Sequence, residues 1–342
     1  MLLRGRQSLV FSSAPSIRSW ACAVGKKEGE GPLCNQFDIV LRDDRAGESS
    51  WEKAESALQK LALNKALEKA NLCSDDLNLI SGGDLLNQCI GTSFAMREMK
   101  IPFLGLYGAC STMAESMIVS GMAVSGGGVN RAACITSSHF ASAERQYRLP
   151  LVYGGQRTPT AQWTATASGC VILEQDGNGP YLRAATIGCV TDWGITDANN
   201  MGAAMAPAAY QTIKSHLEAF NLSPKDYDLI VTGDLGYIGR SAVQDLFTRD
   251  GISLDDNYDD CGTMLFDTSK QDVHAGASGC GCSAAVLCAK LLPMMQRREL
   301  RRLLFCGTGA LLSPLTTQQG ESVPAVCHAV SICTDKEDTW IT

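Results

Sequence analysis

A thiol positioned to act as a nucleophile occurs at Cys110, in Gly108-Ala109-Cys110-Ser111-Thr112. The string lies between a strand-like Phe103–Tyr107 and a helix beginning near Ser111. At such a junction free backbone N–H groups and the helix dipole favour thiolate over thiol, which lowers the pKa. The competing reading makes Cys110 one more buried space-filler among fifteen cysteines, most of them set in apolar runs such as Ala132-Ala133-Cys134-Ile135. Position alone leaves both open. Cys280-x-Cys282 with Cys288 offers sulfur for a metal, but paired C-x-x-C ligands are missing and the spacing falls at a buried helix start. No zinc site is expected, and the protein alone is expected to hold no metal. Gly126-Gly127-Gly128 lacks the Lys-Ser/Thr of a phosphate loop. Of the four histidines, His139 follows a buried strand and is expected to face a pocket, although a loop histidine capping carbonyls would look the same. His216 shares a helix face with Lys214 and Glu218 and is expected in solvent; His274 marks a strand edge, and His328 lies near the tail.

The elements that must position these groups occur twice. A shift of 150 positions superimposes Leu67-Glu68-x-x-Asn71-Leu72 on Leu217-Glu218-x-x-Asn221-Leu222. Asp76, Leu79, Ile80, Gly83, Asp84 and Leu85 then fall on Asp226, Leu229, Ile230, Gly233, Asp234 and Leu235, giving ten identities in nineteen positions. Each copy reads as an amphipathic helix, an Asn-Leu stop and a short buried strand ending at Gly-Asp. Asp84 and Asp234 are therefore equivalent; one can be structural, and Asp234 is the one expected at a pocket. Cys110 and Cys280 each precede a helix of Ala, Ser, Gly and Cys with little charge, which must be buried on all sides. Strands alternating with helices give an α/β class with mainly parallel sheets. Duplicated central helices imply two sheets sandwiching them, a five-layered αβαβα arrangement of two homologous halves. We divide the chain at 1–182 and 183–342, the first half carrying Cys110 and the second supplying pocket-closing loops.

Composition narrows the function. With 45% apolar and 19% charged residues the chain can bury a large core, and a net charge of −7 without basic blocks among aromatics excludes a nucleic-acid surface. The cysteines are odd in number and scattered, as befits thiols in a reducing compartment. No apolar stretch follows the basic first residues, so no export signal is expected. Ile101 to Asn130 carries only Glu115 but is rich in Gly and Ser, which suits a buried strand and helix better than a membrane span.

Gly-Ala-Cys-Ser-Thr opening a buried small-residue helix, in a duplicated α/β chain, resembles the thiolase and ketoacyl-synthase superfamily. Asp84-Leu85-Leu86-Asn87-Gln88, Thr136-Ser137-Ser138-His139, Tyr153-Gly154-Gly155-Gln156, Met205-Ala206-Pro207-Ala208-Ala209, Thr232-Gly233-Asp234-Leu235, Asp259-Asp260-Cys261-Gly262 and Gly307-Thr308-Gly309-Ala310-Leu311-Leu312-Ser313-Pro314 are similar, within it, to the stage V sporulation protein AD family. The likeness runs from about Phe11 to Ala329. Condensing enzymes of the superfamily carry a His, or a His and an Asn, at two strand ends of the second half, and hold an oxyanion on backbone N–H groups. The resemblance puts Gly233-Asp234 and Cys280 at those two places and Gly309-Ala310 at the glycine-rich oxyanion turn. Without the base, Cys110 is expected not to turn over.

The family resemblance further implies binding of dipicolinic acid (pyridine-2,6-dicarboxylate) or its calcium chelate, for uptake into the developing spore and release at germination. The implied ligand-binding set is Cys110, Ser111, His139, Asp192, Asp234, Cys280 and Gly309, although Asp192, in Thr191-Asp192-Trp193-Gly194-Ile195, fits an ordinary turn equally well. In the expected arrangement the helix start at Cys110 and Ser111, with Gly309 N–H, takes one carboxylate. Calcium carried by the ligand bridges the other to Asp192. No other cofactor is expected. The family places the chain on the cytoplasmic face of the spore inner membrane, as a peripheral subunit beside membrane proteins of the same stage V sporulation A operon. A homodimer is expected through an apolar edge strand at Ala132–Ser137. The rival function is a Cys-dependent acyltransferase or condensing enzyme acting on an acyl-CoA thioester.

Overall fold

The computed structural model describes residues 1–147, 157–254, 256–336, 338, 340 and 341; Tyr153-Gly154-Gly155-Gln156 lies outside the described residues. Strands in chain order are β1 (Leu2–Arg4), β2 (Ser8–Val10), β3 (Ser16–Val24), β4 (Ile39–Val40), β5 (Leu79–Gly83), β6 (Phe103–Gly105), β7 (Arg131–Ser138), β8 (Trp163–Thr164) and β9 (Ala167–Glu174). They continue as β10 (Tyr181–Thr186), β11 (Leu229–Thr232), β12 (Tyr258–Asp260), β13 (Ala277–Ser278), β14 (Arg302–Ala310) and β15 (Ala325–Cys333). Helices α1 (Trp51–Ala70), α2 (Ile90–Met99), α3 (Thr112–Ser125), α4 (Phe140–Tyr147), α5 (Met201–Phe220), α6 (Gly236–Arg249), α7 (Cys261–Met264) and α8 (Cys280–Val286) alternate with them.

The offset of 150 is reproduced to the residue. Helices α1 and α5 start and stop at equivalent positions, and each ends on an asparagine in the left-handed region, Asn71 (φ 55°) and Asn221 (φ 52°). Asparagine tolerates that conformation better than other side chains, so the repeated Asn fixes the repeated helix end. Apolar residues one turn apart, Ala54, Leu58, Ala62, Leu63 and Ala66, bury one face of α1 against the first sheet.

That sheet runs β6-β5-β7-β9-β3; the second runs β12-β11-β14-β15-β10, and the two meet where Tyr181 of β10 pairs with Ser16 of β3. Helices α1 and α2 cover the outside of the first sheet, α5 covers the outside of the second with α6 packed on it, and α3 and α8 lie between the sheets. The five layers expected from the sequence are present. The small residues of α8 have a steric reason: a Cβ on Gly281 would lie 2.3 Å from Ala167 O, and one on Gly169 of β9 would lie 2.7 Å from Ala284 Cβ. Helix and strand pack at backbone distance there.

Two expectations are corrected. The sheets are mixed rather than mainly parallel: β5 pairs in parallel with β6 and β7, and β11 with β12 and β14, but β7–β9, β9–β3, β14–β15 and β15–β10 are antiparallel. Strands β9 and β15 return beside their predecessors instead of crossing over a full helical layer, which reverses them. Strand β7, with Ala132–Ser137, is interior, paired to β5 on one side and β9 on the other. The edge of the first sheet is β6. The division at 182/183 falls within β10. No helix of the described residues is long and apolar enough to cross a membrane.

Candidate functional site

Cys110 sits on a tight turn. Ala109, just before it, takes φ +51°, a left-handed conformation that costs a residue with a Cβ on the order of 1 kcal/mol. The Ser111 N–H and hydroxyl both donate to Gly108 O, at 3.1 and 2.6 Å, and the Thr112 hydroxyl donates to Ala109 O at 2.7 Å. Strand β14 presses on this turn through a glycine: a Cβ on Gly309 would lie 2.6 Å from Gly108 O, 3.1 Å from Ser111 N and 3.3 Å from Cys110 N. Gly309 and Ala310 are thus the last residues of a strand, not a turn, and bare backbone is what the close approach needs.

The second half delivers a carboxyl group to the sulfur. Asp234 follows β11; one of its oxygens accepts the Gly279 N–H at 2.8 Å, the other accepts the Thr308 hydroxyl at 2.8 Å, and the charge of the same group acts on the Cys110 sulfur. Burial pushes the Cys110 thiol well above its ordinary pKa, and Asp234 and Cys280 push it further. This overturns the lowered thiol pKa expected of a helix start. The Ser111 N–H is spent on Gly108, and the charge facing sulfur is negative. Burial raises Asp234 as well, opposed by Cys110 and by the hydrogen bonds it accepts from Gly279 and Thr308.

Cys280 opens α8 as Cys110 precedes α3. The two thiols belong to one buried apolar cluster with Leu85 and Ala143, where Cys280 donates to Ser137 O at 2.9 Å. The duplicated aspartates have diverged. Asp84 caps its own strand-end loop, accepting the N–H groups of Leu86 (2.8 Å) and Thr92 (2.7 Å) and the Thr92 hydroxyl (2.6 Å). In the second half Asp260 does that work, accepting from Leu235, Gly236 and Gly262 N–H at 2.9 Å each. Asp234 is thereby left to face Cys110.

A pocket opens over Cys110, lined by Leu85, Ala109, Cys110, Ala143, Glu144, Tyr147, Thr164, Met201, Ser278, Ala310 and Leu312. Its enclosed space is about 50 Å³, well below that of ordinary ligand sites, and the rest of the depression is open to solvent. Tyr147 donates its hydroxyl to Leu85 O, which ties α4 across the cavity, and its oxygen lies 3.3 Å from the Tyr107 hydroxyl. Sequence reasoning missed the α4 wall. Its signal was the helical spacing of Ala143, Glu144 and Tyr147 after the strand that ends at His139.

The structure brings together Cys110, Ser111, Asp234, Cys280 and Gly309, but of these only Cys110 lines the cavity; Ser111, Asp234, Cys280 and Gly309 support it from behind. It does not bring in the remaining two. His139 turns away, its Nε2 donating to Asp44 O at 2.7 Å and its ring resting 5.4 Å from that of Trp51. Asp192 is on the surface, accepting from Gly194 N–H (2.8 Å) and the Ser322 hydroxyl (2.6 Å), as an ordinary turn aspartate does. His216 is the clearest reversal. It is fully buried, 2.8 Å from the Thr186 hydroxyl and 2.6 Å from the Tyr227 hydroxyl, and burial lowers it to about 3. His274 is held by Thr158 O (2.7 Å) before β13, and His328 in β15 accepts the Gly188 N–H at 3.1 Å.

Two layered halves with a cysteine turn at their joint define a thiolase-like protein, and solved structures agree. The chain superposes on 3-oxoacyl-[acyl-carrier-protein] synthase III from Aquifex aeolicus with a TM-score of 0.57 at 11% identity, covering 93% of this chain and 99% of that one. On cerulenin-bound OleA of Xanthomonas campestris the TM-score is 0.59 at 13% identity, with 97% and 100% covered. At such identities the likeness shows the fold alone. In sequence, residues 5–333 match stage V sporulation protein AD (SpoVAD), and the chain is 44% identical over 330 residues to the stage V sporulation protein AD of Bacillus subtilis (strain 168), covering 96% of this chain and 97% of that protein. The chain belongs to the SpoVAD family, whose name assigns it to sporulation.

Proposed function

We propose that this chain is a binding protein rather than an enzyme. Its Cys110 pocket takes dipicolinic acid, carried as the calcium chelate, and serves the movement of that compound into the developing spore and out at germination. The observation that carries the reading is the partner of Cys110. The sulfur faces a carboxyl group, and none of the four histidines lines the pocket or acts on the thiol. A condensing enzyme needs a base to take the thiol proton and a cation or donor to hold developing negative charge. Asp234 does the reverse, stabilising the protonated sulfur.

The lining suits a small flat ring: Leu85, Tyr147, Met201, Ala310 and Leu312 supply apolar walls, and Thr164 and Ser278 supply hydroxyls. Among the described residues lining it, Glu144 is the acidic side chain. Calcium chelated by the ligand can take a Glu144 carboxylate oxygen into its shell, so in this reading the bridge expected at Asp192 passes to Glu144. Titration calorimetry tests this. The chelate should bind at least about tenfold tighter than the free dianion, a 1.4 kcal/mol difference, and Glu144→Gln should remove most of that gap. Cys110→Trp should abolish both by filling the cavity. Equal affinities, or no heat with either form, would overturn the ligand; an acyl group on Cys110 after incubation with acyl-CoA, seen by mass spectrometry, would establish the rival enzyme.

In the same reading the chain sits peripherally at the spore inner membrane beside the membrane proteins of its operon, as a dimer. The surface for a second copy is β6. Among the described residues this strand pairs on one side only, and its Leu104 is 49% exposed. Apolar edges of this kind associate unless covered. Light scattering at micromolar concentration should give a dimer for the parent and a monomer for Leu104→Lys; a parent that is monomeric contradicts the assignment.

A further inference from the structure

We propose that a hard divalent cation, calcium being the probe, binds in front of Gly25 between the carboxylates of Glu28 and Asp44. Gly25 follows β3 and is fixed by its N–H, which donates to Thr166 O at 2.7 Å. A Cβ there would lie 2.7 Å from Glu28 Oε2 and 2.8 Å from Asp44 Oδ1, so two carboxylate oxygens converge on the bare face of the glycine. Glu28 is 1% exposed; its Oε1 accepts the Thr166 N–H at 2.9 Å, while its Oε2 has no hydrogen-bond partner. Asp44 Oδ1 accepts the Lys26 N–H at 3.2 Å.

The nearby cations are engaged elsewhere. Lys27 Nζ stands 3.6 Å over the Trp163 ring and donates to Asp272 O at 3.2 Å, and the Arg45 guanidinium lies 3.9 Å over Trp51. Among the described residues no ion pair joins Glu28 or Asp44 to a basic side chain. A buried oxygen with no donor, next to a second carboxylate, must be satisfied by a proton or by a cation. Burial pushes Glu28 up to about 8, with the Asp44 charge adding to it, which is the state of the pair when nothing positive lies between. The donors are all oxygen and the site has one side toward solvent at half-buried Asp44, which suits an ion that completes its shell with water. Absence of sulfur and imidazole disfavours zinc.

Occupancy would brace two walls of the Cys110 pocket. Glu28 holds Thr166, two residues beyond the pocket-lining Thr164, and Asp44 O holds His139, which starts the helix bearing Ala143, Glu144 and Tyr147. The site itself lies outside that pocket, so it stands whether or not dipicolinate is the ligand there. The experiment uses the full, ligand-free chain stripped with a chelator, with calcium chloride titrated by calorimetry and thermal unfolding followed in parallel. One saturable site is expected, together with an unfolding temperature several degrees higher at saturating calcium. Gly25→Ala, Asp44→Asn and Glu28→Gln should each abolish both signals. Asp44→Asn preserves an oxygen for the Lys26 N–H and so keeps the test open if Glu28→Gln or Gly25→Ala folds poorly. A parent that ignores calcium, or a calcium response that survives Asp44→Asn, would overturn the site and leave a shared proton as its occupant.

Discussion

Asp234→Ala should be the most destabilising single substitution at the site, by roughly 3–5 kcal/mol, because it strips partners from groups that no water can reach. The Gly279 N–H and the Thr308 hydroxyl both donate to this side chain, and Asp234 and Thr308 are at most 1% exposed. Each buried donor left unpaired costs about 1–3 kcal/mol, and the lost volume adds a cavity at the joint of the two halves. Asp234→Asn is gentler on the fold and more informative about the sulfur. With the negative group gone, burial and Cys280 still hold the Cys110 pKa up, but the thiol should titrate lower and alkylate faster, roughly threefold for each unit the pKa falls because a less basic thiolate is also a weaker nucleophile. Iodoacetamide rates at Cys110, read by peptide mass spectrometry against pH, would measure it. A Cys110 in the parent protein that alkylates like an exposed cysteine would contradict the opposition between carboxyl and thiol on which the non-catalytic reading rests.

The same pair shows what a sequence can carry. The duplication was legible because local rules repeat: an asparagine that accepts a left-handed cap occurs at 71 and 221, and the helices before it keep their apolar spacing. The turn at Cys110 was legible for a related reason, since small residues mark where backbone must approach backbone. Its electrostatics were not, because the carboxyl group that faces the sulfur arrives from the other half of the chain. His216 failed similarly. Lys214 and Glu218 describe the face on either side of it, but Thr186 and Tyr227, from two other elements, enclose the ring. Asp84 and Asp234 look interchangeable in sequence, and only the presence of Asp260 at the second strand end separates capping from contact with Cys110.

In chelator, the protein should be most stable in mildly acidic solution and lose stability steeply between about pH 6.5 and 8. Three buried carboxyl groups set the sign. Burial raises Glu28 and Glu55 from 4.5 to about 8, with the neighbouring Asp44 and Asp84 adding their charges, and raises Asp260 from 3.8 to about 7. The folded chain therefore holds protons that the unfolded chain has released, and stability falls as pH rises toward those folded values. Below about pH 6.5 the histidines work against this. His216 and His328, lowered by burial to about 3 and about 4, stay neutral in the fold while the unfolded chain takes up their protons, so the two effects largely cancel there. Above it only the acids remain. Glu28 and Glu55 together weaken the fold by up to about 1.4 kcal/mol per pH unit each, on the order of 4 kcal/mol across the window. The raised folded pKa values of the buried thiols, Cys110 and Cys280 among them, continue the decline at higher pH. Urea unfolding at pH 6.5 and 8 would read the slope directly. Glu28→Gln with Glu55→Gln should flatten it, since neither amide titrates. Calcium should flatten the Glu28 share alone if the ion binds at Gly25. A parent protein equally stable at both values would mean that these carboxyl groups are ionised in the fold and matched by charge from elsewhere.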